Sequence, residues 1–469
     1  MRRVLGLALV LMFLGVGLAN AAALGCLTGL TSAERAAMLA AIARSDEATQ
    51  APPATLDDET LHAIILRYAR SEAGLRVRPG QVDRLWAIEP VERDLLAEYS
   101  QARRSATLAG WLASLSSPHQ AYRALRAEHC RYAEIVDNGG WSALPPGPEL
   151  RLGARHPSVA ALRARLAVEG YRLAPASDPD LLDAGLADAL AAFQLRHDLE
   201  PDAVLGPNTR LALDAPAEGR LLQLAMNMER WRWLPHHLPP DRLELDVGAA
   251  EAILYSGGQP RLTMRVIVGD PGHKNPMFSS RIEAVVLNPP WRVPVSIARD
   301  ELLPRAARDP GYLIRNGFRR TPEGALEQRP GPANALGRVK FDLPSPFGVY
   351  LHDTPGKAAF ARRERTLSHG CMRLEKPREL AAALLAGQGW TRKEIDQAIA
   401  AGATRRIELA VPLPLVVVYR TAGVDNAGAA VFRSDPYGWD SKLSAALAGA
   451  SEAQPPAVDT DCANADGTR

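Results

Sequence analysis

Ser368-His369-Gly370-Cys371-Met372-Arg373, with Tyr350-Leu351-His352-Asp353-Thr354 just upstream, is the stretch whose residue types can do covalent chemistry. A cysteine is only a few per cent thiolate at neutral pH, so a nucleophilic one is expected to keep a histidine within hydrogen-bond reach. Two histidines qualify. His369 lies two positions before Cys371, and on an extended segment both side chains point to one face. His352 lies 19 positions earlier, far enough to arrive from a neighbouring strand across a loop. Gly370 has no Cβ, which leaves the amides of Gly370 and Cys371 open to a substrate carbonyl as an oxyanion site. Singly, a cysteine is usually a small buried hydrophobe and a histidine a satisfied polar residue. Together, with a serine, a glycine and an arginine in the same six residues, they point to an acyl-transferring thiol. The chain has no spaced Cys/His pairs of the kind a zinc site uses, and zinc would quench the thiol, so no metal is expected. No cofactor motif occurs.

These residues resemble the catalytic motif of the L,D-transpeptidases, in which a histidine precedes Ser/Thr-His-Gly-Cys-x-Asn/Arg by a short loop. Here residues 353–367 separate His352 from Ser368, and Arg373 fills the last place. Similarity to the larger periplasmic branch of that family extends to Asn288-Pro289-Pro290-Trp291-Arg292-Val293-Pro294, to Gly331-Pro332-Ala333-Asn334-Ala335-Leu336-Gly337 and to Tyr350-Leu351-His352-Asp353-Thr354-Pro355. It covers roughly residues 140–415. The resemblance implies that Cys371 is the nucleophile and His352 its proton acceptor and donor. His369 is expected to line the thiolate or carbonyl site, Arg373 to hold a substrate carboxylate or brace the loop, and Ser368 to brace it through its hydroxyl. Tyr350 and Trp291 are expected to contact substrate. The implied donor is a peptidoglycan tetrapeptide stem, cleaved after its third residue through a thioester, and the implied acceptor is the side-chain amine of a neighbouring diamino acid. An L,D-carboxypeptidase would use the same residues. A non-catalytic peptidoglycan-binding scaffold is a third reading, against which the intact His352/Cys371 pair argues. Asp353 follows His352 directly and points away on a regular strand, so His352 is expected to be oriented by a backbone carbonyl or another group.

Elements that position these residues follow from periodicity. From about residue 241 apolar residues alternate: Leu243, Leu245 and Val247, then Leu262, Met264, Val266 and Val268 after Ser256-Gly257-Gly258-Gln259, which reads as antiparallel hairpins. Strand-like residues 347–351 deliver His352. Between Trp291 and Phe341 the alternation fails; Ser296 is expected to cap a helix through Leu303, with a Gly/Pro-rich loop over 321–337. A long insertion in a β domain is commonly a lid. Residues 31–140 read as helical, with Thr31 or Ser32 as a cap and Leu61, Ile64, Ile65 and Tyr68 at helical spacing. Between 157 and 212 the phrases Ala192-Phe193-Gln194-Leu195-Arg196-His197 and Val204-Leu205-Gly206-Pro207-Asn208-Thr209 resemble the small helical peptidoglycan-binding repeat. Where that repeat has glycine, this chain has Ala203, so a different turn is expected. That unit is as readily a spacer as a glycan binder. Asn227 to Pro235, alternating aromatics and arginines, reads as a domain junction.

The architecture expected is therefore multidomain α+β. A mainly β catalytic domain at 241–420, with a lid-like insertion at 292–340, follows a three-helix peptidoglycan-binding-like unit at 150–215 and a helical scaffold region at 31–140. An Ala/Asp-rich tail at 438–469 is expected to be disordered. A near balance of 55 basic against 53 acidic residues argues against nucleic acid as a partner. The resemblance implies stem peptides and glycan as partners, together with other cell-wall synthesis proteins. Arg2-Arg3, an apolar run over 4–18 and Ala21-Ala22-Ala23 read as a signal peptide over 1–23, hence an exported, periplasmic protein. Leu24-Gly25-Cys26 offers lipid anchoring through Cys26 as the alternative. If Cys371 is a free thiol, at most one disulfide forms among Cys26, Cys130 and Cys462.

Overall fold

The computed structural model describes residues 29–43 and 56–452. The stretch read as a signal peptide (1–23), Cys26, Cys462 and residues 453–469 lie outside the described residues.

Fifteen strands occur among the described residues. Those that build the site are β2 (Arg242–Asp246), β3 (Glu251–Ser256), β4 (Gln259–Gly269), β5 (Met277–Leu287), β9 (Val339–Asp342), β10 (Leu351–His352), β12 (Met372–Leu374) and β13 (Arg405–Val418), with β1 (Trp86–Ala87) and β11 (Thr366–Ser368) as short additions. Neighbours run β5-β13-β2-β3-β4-β12-β10-β9, and a further β9–β5 pairing closes these eight into a ring. Closure removes the exposed edges that an open sheet would present. Alternating residues fill the core: Leu243, Leu245, Val266, Val268, Phe341, Leu351, Met372 and Leu374 are all fully buried. Two helices, Pro377–Leu385 and Arg392–Ala400, pack on this core through Leu380, Leu385 and Ile395.

The insertion carries its own three-stranded sheet, β6 (Trp291–Arg292), β8 (Leu326–Gln328) and β7 (Phe318–Arg320), over a small core of Val293, Leu302 and Leu326. Two expectations are corrected here. Strand β8 lies inside the stretch read as a Gly/Pro-rich loop. No single helix capped by Ser296 forms; the chain starts a turn at Val295–Ile297 behind Pro294, widens to a π-helix over Ala298–Leu302 and continues as Leu303–Arg308. Pro304 has no N–H to give to the carbonyl four residues back, which favours the wider register ahead of it.

Upstream, the three helices Ser158–Val168, Ala184–Arg196 and Pro207–Asp214 enclose Leu162, Leu166, Leu190, Phe193 and Leu213. Ala203 takes φ +56, a left-handed conformation, so the turn keeps the form that glycine would adopt rather than a different one. Its amide donates to Gln194 Oε1 (2.8 Å), while Asp202 Oδ1 accepts from Gln194 Nε2 (2.8 Å) and from the Val204 amide (2.9 Å). Those three bonds hold the strained residue in place.

Further upstream, helices Ser32–Ile42, Asp58–Glu72, Leu95–Arg104 and Leu108–Leu115 form a separate helical core; Thr31 and Glu34 make a capping box at its start. The junction is buried over 227–234: Arg232 pairs with Glu72 (3.0 Å) and Glu229 (3.1 Å), and Asn227 Nδ2 donates to Thr421 Oγ1 (2.8 Å). Within the tail read as disordered over 438–469, the described part forms a helix over Trp439–Glu452, with Trp439, Leu443 and Leu447 buried. Trp439 meets Trp86 at a ring separation of 5.6 Å, and Trp86 meets Trp233 at 5.7 Å. An apolar stripe outweighed the Ala/Asp composition of the segment.

Candidate active site

Strand register brings the chemistry-bearing residues together. His352 is paired with Arg373 on parallel β12 and with Lys340 on antiparallel β9, and residues in register share a face of a sheet. Leu351 between them pairs with Met372 and Phe341 and points into the core. Cys371 directly precedes β12, where the Met372 amide donates to Tyr350 O (3.2 Å). Tyr350 and Cys371 therefore stand side by side at the same edge. The Tyr350 hydroxyl interacts with the Cys371 thiol and with the indole of Trp291 from the insertion. Its ring lies 5.6 Å from that of His352 and 4.6 Å from Lys340 Nζ.

His352 is buried, and Nδ1 is hydrogen-bonded to the backbone carbonyl of Asp353 (2.5 Å). A carbonyl only accepts, so Nδ1 carries the proton and Nε2 is left as a free base. Burial first, and the nearby Arg373 cation second, push His352 down to about 3. Burial also raises the Cys371 thiol, against Tyr350, Arg373 and Lys340, which favour the thiolate. Both groups are thus neutral at rest. The Asp353 carboxylate is otherwise engaged, accepting from the Arg338 amide (2.8 Å) and Thr354 amide (2.8 Å) and pairing with Lys357 (2.6 Å). Gly337 explains one motif glycine: at φ +62, a Cβ there would come within 2.4 Å of Asp353 Cγ.

The nucleophile loop is tightly tied. Ser368 Oγ donates to Cys371 O (2.6 Å) and accepts from the Gly370 amide (3.2 Å). Gly370 takes φ +96, which its lack of Cβ permits, and its carbonyl accepts from Asn275 Nδ2 (2.6 Å). The expectation of two open amides is corrected: the Gly370 amide is engaged by Ser368, and only the Cys371 amide has no acceptor among the described residues. The His369 ring lies 4.6 Å from that of His273 in the β4–β5 loop and its Nε2 stands 2.9 Å from Glu301 Oε1 of the π-helix, so its side-chain partners are these two groups. Arg373 is half-buried with no side-chain acceptor among the described residues. Among the described residues Cys130 and Cys371 have no disulfide partner.

Lys340 and Asn275 escaped sequence reasoning. Lys340 pairs with Asp342 (2.8 Å) and reaches His352 only through the β9–β10 register, which no local pattern encodes. Asn275 reaches the loop across 95 residues of chain.

Comparison with known proteins gives matches to three family models. An L,D-transpeptidase catalytic domain matches residues 240–395, a "Putative peptidoglycan binding domain" matches 155–213, and a scaffold domain matches 18–128. A curated Haemophilus influenzae protein, "Putative L,D-transpeptidase", is 31% identical over 243 residues, which is 48% of this chain and 49% of that protein. The chain thus spans about half the length of this relative. Among solved structures, the L,D-transpeptidase (residues 123–326) of Xylanimonas cellulosilytica is 16% identical with a TM-score of 0.19, over 58% of this chain and 99% of that one. The L,D-transpeptidase from Mycobacterium smegmatis is 16% identical with a TM-score of 0.20, over 38% and 58%.

Proposed function

We propose, from the premise that residues 240–395 of this chain are an L,D-transpeptidase catalytic domain, that the protein cross-links peptidoglycan stem peptides through a thioester on Cys371. The observation that carries the reading is the shared sheet face of Tyr350, His352, Cys371 and Arg373, with a free base at His352 Nε2 and an open amide at Cys371.

As Cys371 Sγ attacks the donor carbonyl, its proton passes to His352 Nε2. The new oxyanion is met by the Cys371 amide, with the Tyr350 hydroxyl at its side. His352 then protonates the departing nitrogen, the C–N bond breaks and a thioester remains. An acceptor amine attacks the thioester, gives its proton to His352 and forms the cross-link, and the proton returns to sulfur. The Arg373 guanidinium, which has no acceptor among the described residues, supports recognition of a carboxylate on the donor stem. Trp291 brings the insertion to the reacting edge, which favours an amine over water as acceptor. The peptidoglycan-binding domain at 155–213 supports the same polymer as substrate. The leader-like start of the sequence supports an exported, periplasmic place of work.

The test is product analysis of the protein incubated with a defined disaccharide-tetrapeptide, alone and with an acceptor stem. Cross-linked dimer that grows with acceptor is expected; tripeptide as the sole product would make the protein a carboxypeptidase.

A further inference from the structure

None of the three matched segments includes residues 419–452, yet that stretch reaches the loop that carries Cys371. Tyr437, just ahead of the last helix, is 3% exposed. Its ring stacks on Tyr419 (5.1 Å, 11°) and meets Trp439 edge-on (5.1 Å). Its hydroxyl donates to Gly269 O (2.7 Å) and accepts from the Asn275 amide (3.2 Å). Asn275 is fully buried; its Oδ1 accepts from the Gly269 amide (2.6 Å) and its Nδ2 donates to Gly370 O (2.6 Å). The two backbones pass so closely that a Cβ at Gly269 would lie 1.9 Å from His273 O.

Peptide geometry gives this chain of bonds a chemical consequence. In a trans peptide the carbonyl and the N–H point in opposite directions, and the described residues contain no cis bonds. Gly370 O and the Cys371 N–H belong to one peptide unit. Holding that oxygen on Asn275 therefore aims the Cys371 N–H away from Asn275, on the side where it meets no acceptor among the described residues. A donor fixed before the reaction costs no reorganisation when the oxyanion forms. Tyr437 is in turn held from behind: its carbonyl accepts from Lys274 Nζ (2.6 Å), Trp439 packs on Trp86, and Lys442 pairs with Asp83 (2.8 Å).

We propose that Tyr437 is a positioning residue for the nucleophile, acting through Asn275 to orient the Gly370–Cys371 peptide whose N–H receives the oxyanion. This rests on the thioester reading above. It assigns the terminal segment a part in catalysis although it touches no substrate.

The experiment compares full-length Tyr437→Phe, Asn275→Asp and the double variant with the unsubstituted protein, and uses Ser441→Ala, an exposed change in the helix that follows Tyr437, as control. Acyl-enzyme formation is timed by intact mass over a range of donor concentrations, and amide exchange is followed in the peptide spanning 368–372. Tyr437→Phe is expected to slow the limiting acylation rate about tenfold with the half-saturating donor concentration unchanged, and Asn275→Asp about a hundredfold. In the Asn275→Asp background Tyr437→Phe should add little further loss, and both single variants should speed exchange at 368–372. An unchanged acylation rate in Tyr437→Phe, or losses that simply multiply, would overturn the proposal. Were the unsubstituted protein to form no thioester, the reading of function would fall. Exchange in Tyr437→Phe would then decide the positioning by itself, and unaltered exchange would overturn it.

Discussion

Two neutral partners, rather than an ion pair, define the reacting residues. Burial raises the Cys371 thiol and pushes His352 down to about 3, so proton transfer accompanies attack instead of preceding it. The rate of Cys371 alkylation by iodoacetamide should therefore climb through alkaline pH with no plateau between about pH 6 and 8. A neutral plateau would reveal a resting thiolate. Stability follows the same shift. The folded value of His352 lies below its unfolded value of about 6.5, so its contribution is fully present above that pH and is lost as pH falls toward 3. Thermal melts at pH 4 and 7 should differ less in His352→Gln than in the unsubstituted protein. Arg373→Met should lower donor kcat/KM by about tenfold to a hundredfold, as loss of a charge-assisted bond would. An amidated donor should show no such penalty; an equal loss with both would assign Arg373 to bracing. Cys371, His352 and Tyr350 were legible because they sit in a compact motif, and Trp291 because it sits in a second one at 288–294. The Glu301 partner of His369 was not legible because it comes from an insertion 68 residues earlier in the chain.

Local conformation and local composition diverge at two elements. Ala203 sits at φ +56 because Gln194 Oε1 accepts from its amide and Asp202 Oδ1 accepts from the Val204 amide, although an alanine there carries strain of about 1 kcal/mol. Ala203→Gly should stabilise the helical unit by about 0.5 kcal/mol, since glycine relieves that strain but frees the unfolded chain. Urea titration reads the difference, and a loss of stability would show that the turn is unstrained. The helix over Trp439–Glu452 offers the opposite lesson. Its Trp439, Leu443 and Leu447 recur at four-residue spacing, a helical stripe visible in the sequence but outweighed there by alanine and acidic content. In the insertion, the π-register ahead of Pro304 depends on a missing donor and on tertiary packing, which periodicity alone does not carry.

Across the molecule, three regions meet around the end of β13. The scaffold contributes Trp86, whose strand pairs with β5 at Met277 and whose ring backs Trp439. The three-helix unit at 155–213 is fastened by Arg196 on Asp425 (2.9 Å) and by His197 packed 5.4 Å from Phe432. The order and kind of these regions were readable from periodicity and motif. Their docking was not, because buried pairs such as Arg232–Glu72 join residues 160 apart. Trp439→Ala should cost about 3–5 kcal/mol, the range for emptying a fully buried aromatic site, as read by denaturant unfolding. A change below about 1 kcal/mol would mean that the terminal helix is dispensable to the core. The measurement that bears most directly on the chemistry is intact-protein mass spectrometry, followed by peptide mapping, of the unsubstituted chain and of Cys371→Ala after exposure to the disaccharide-tetrapeptide. The expected result is a tripeptidyl adduct on Cys371 that is absent from a folded Cys371→Ala. Turnover retained by Cys371→Ala, or an adduct mapped elsewhere, would contradict Cys371 as the nucleophile.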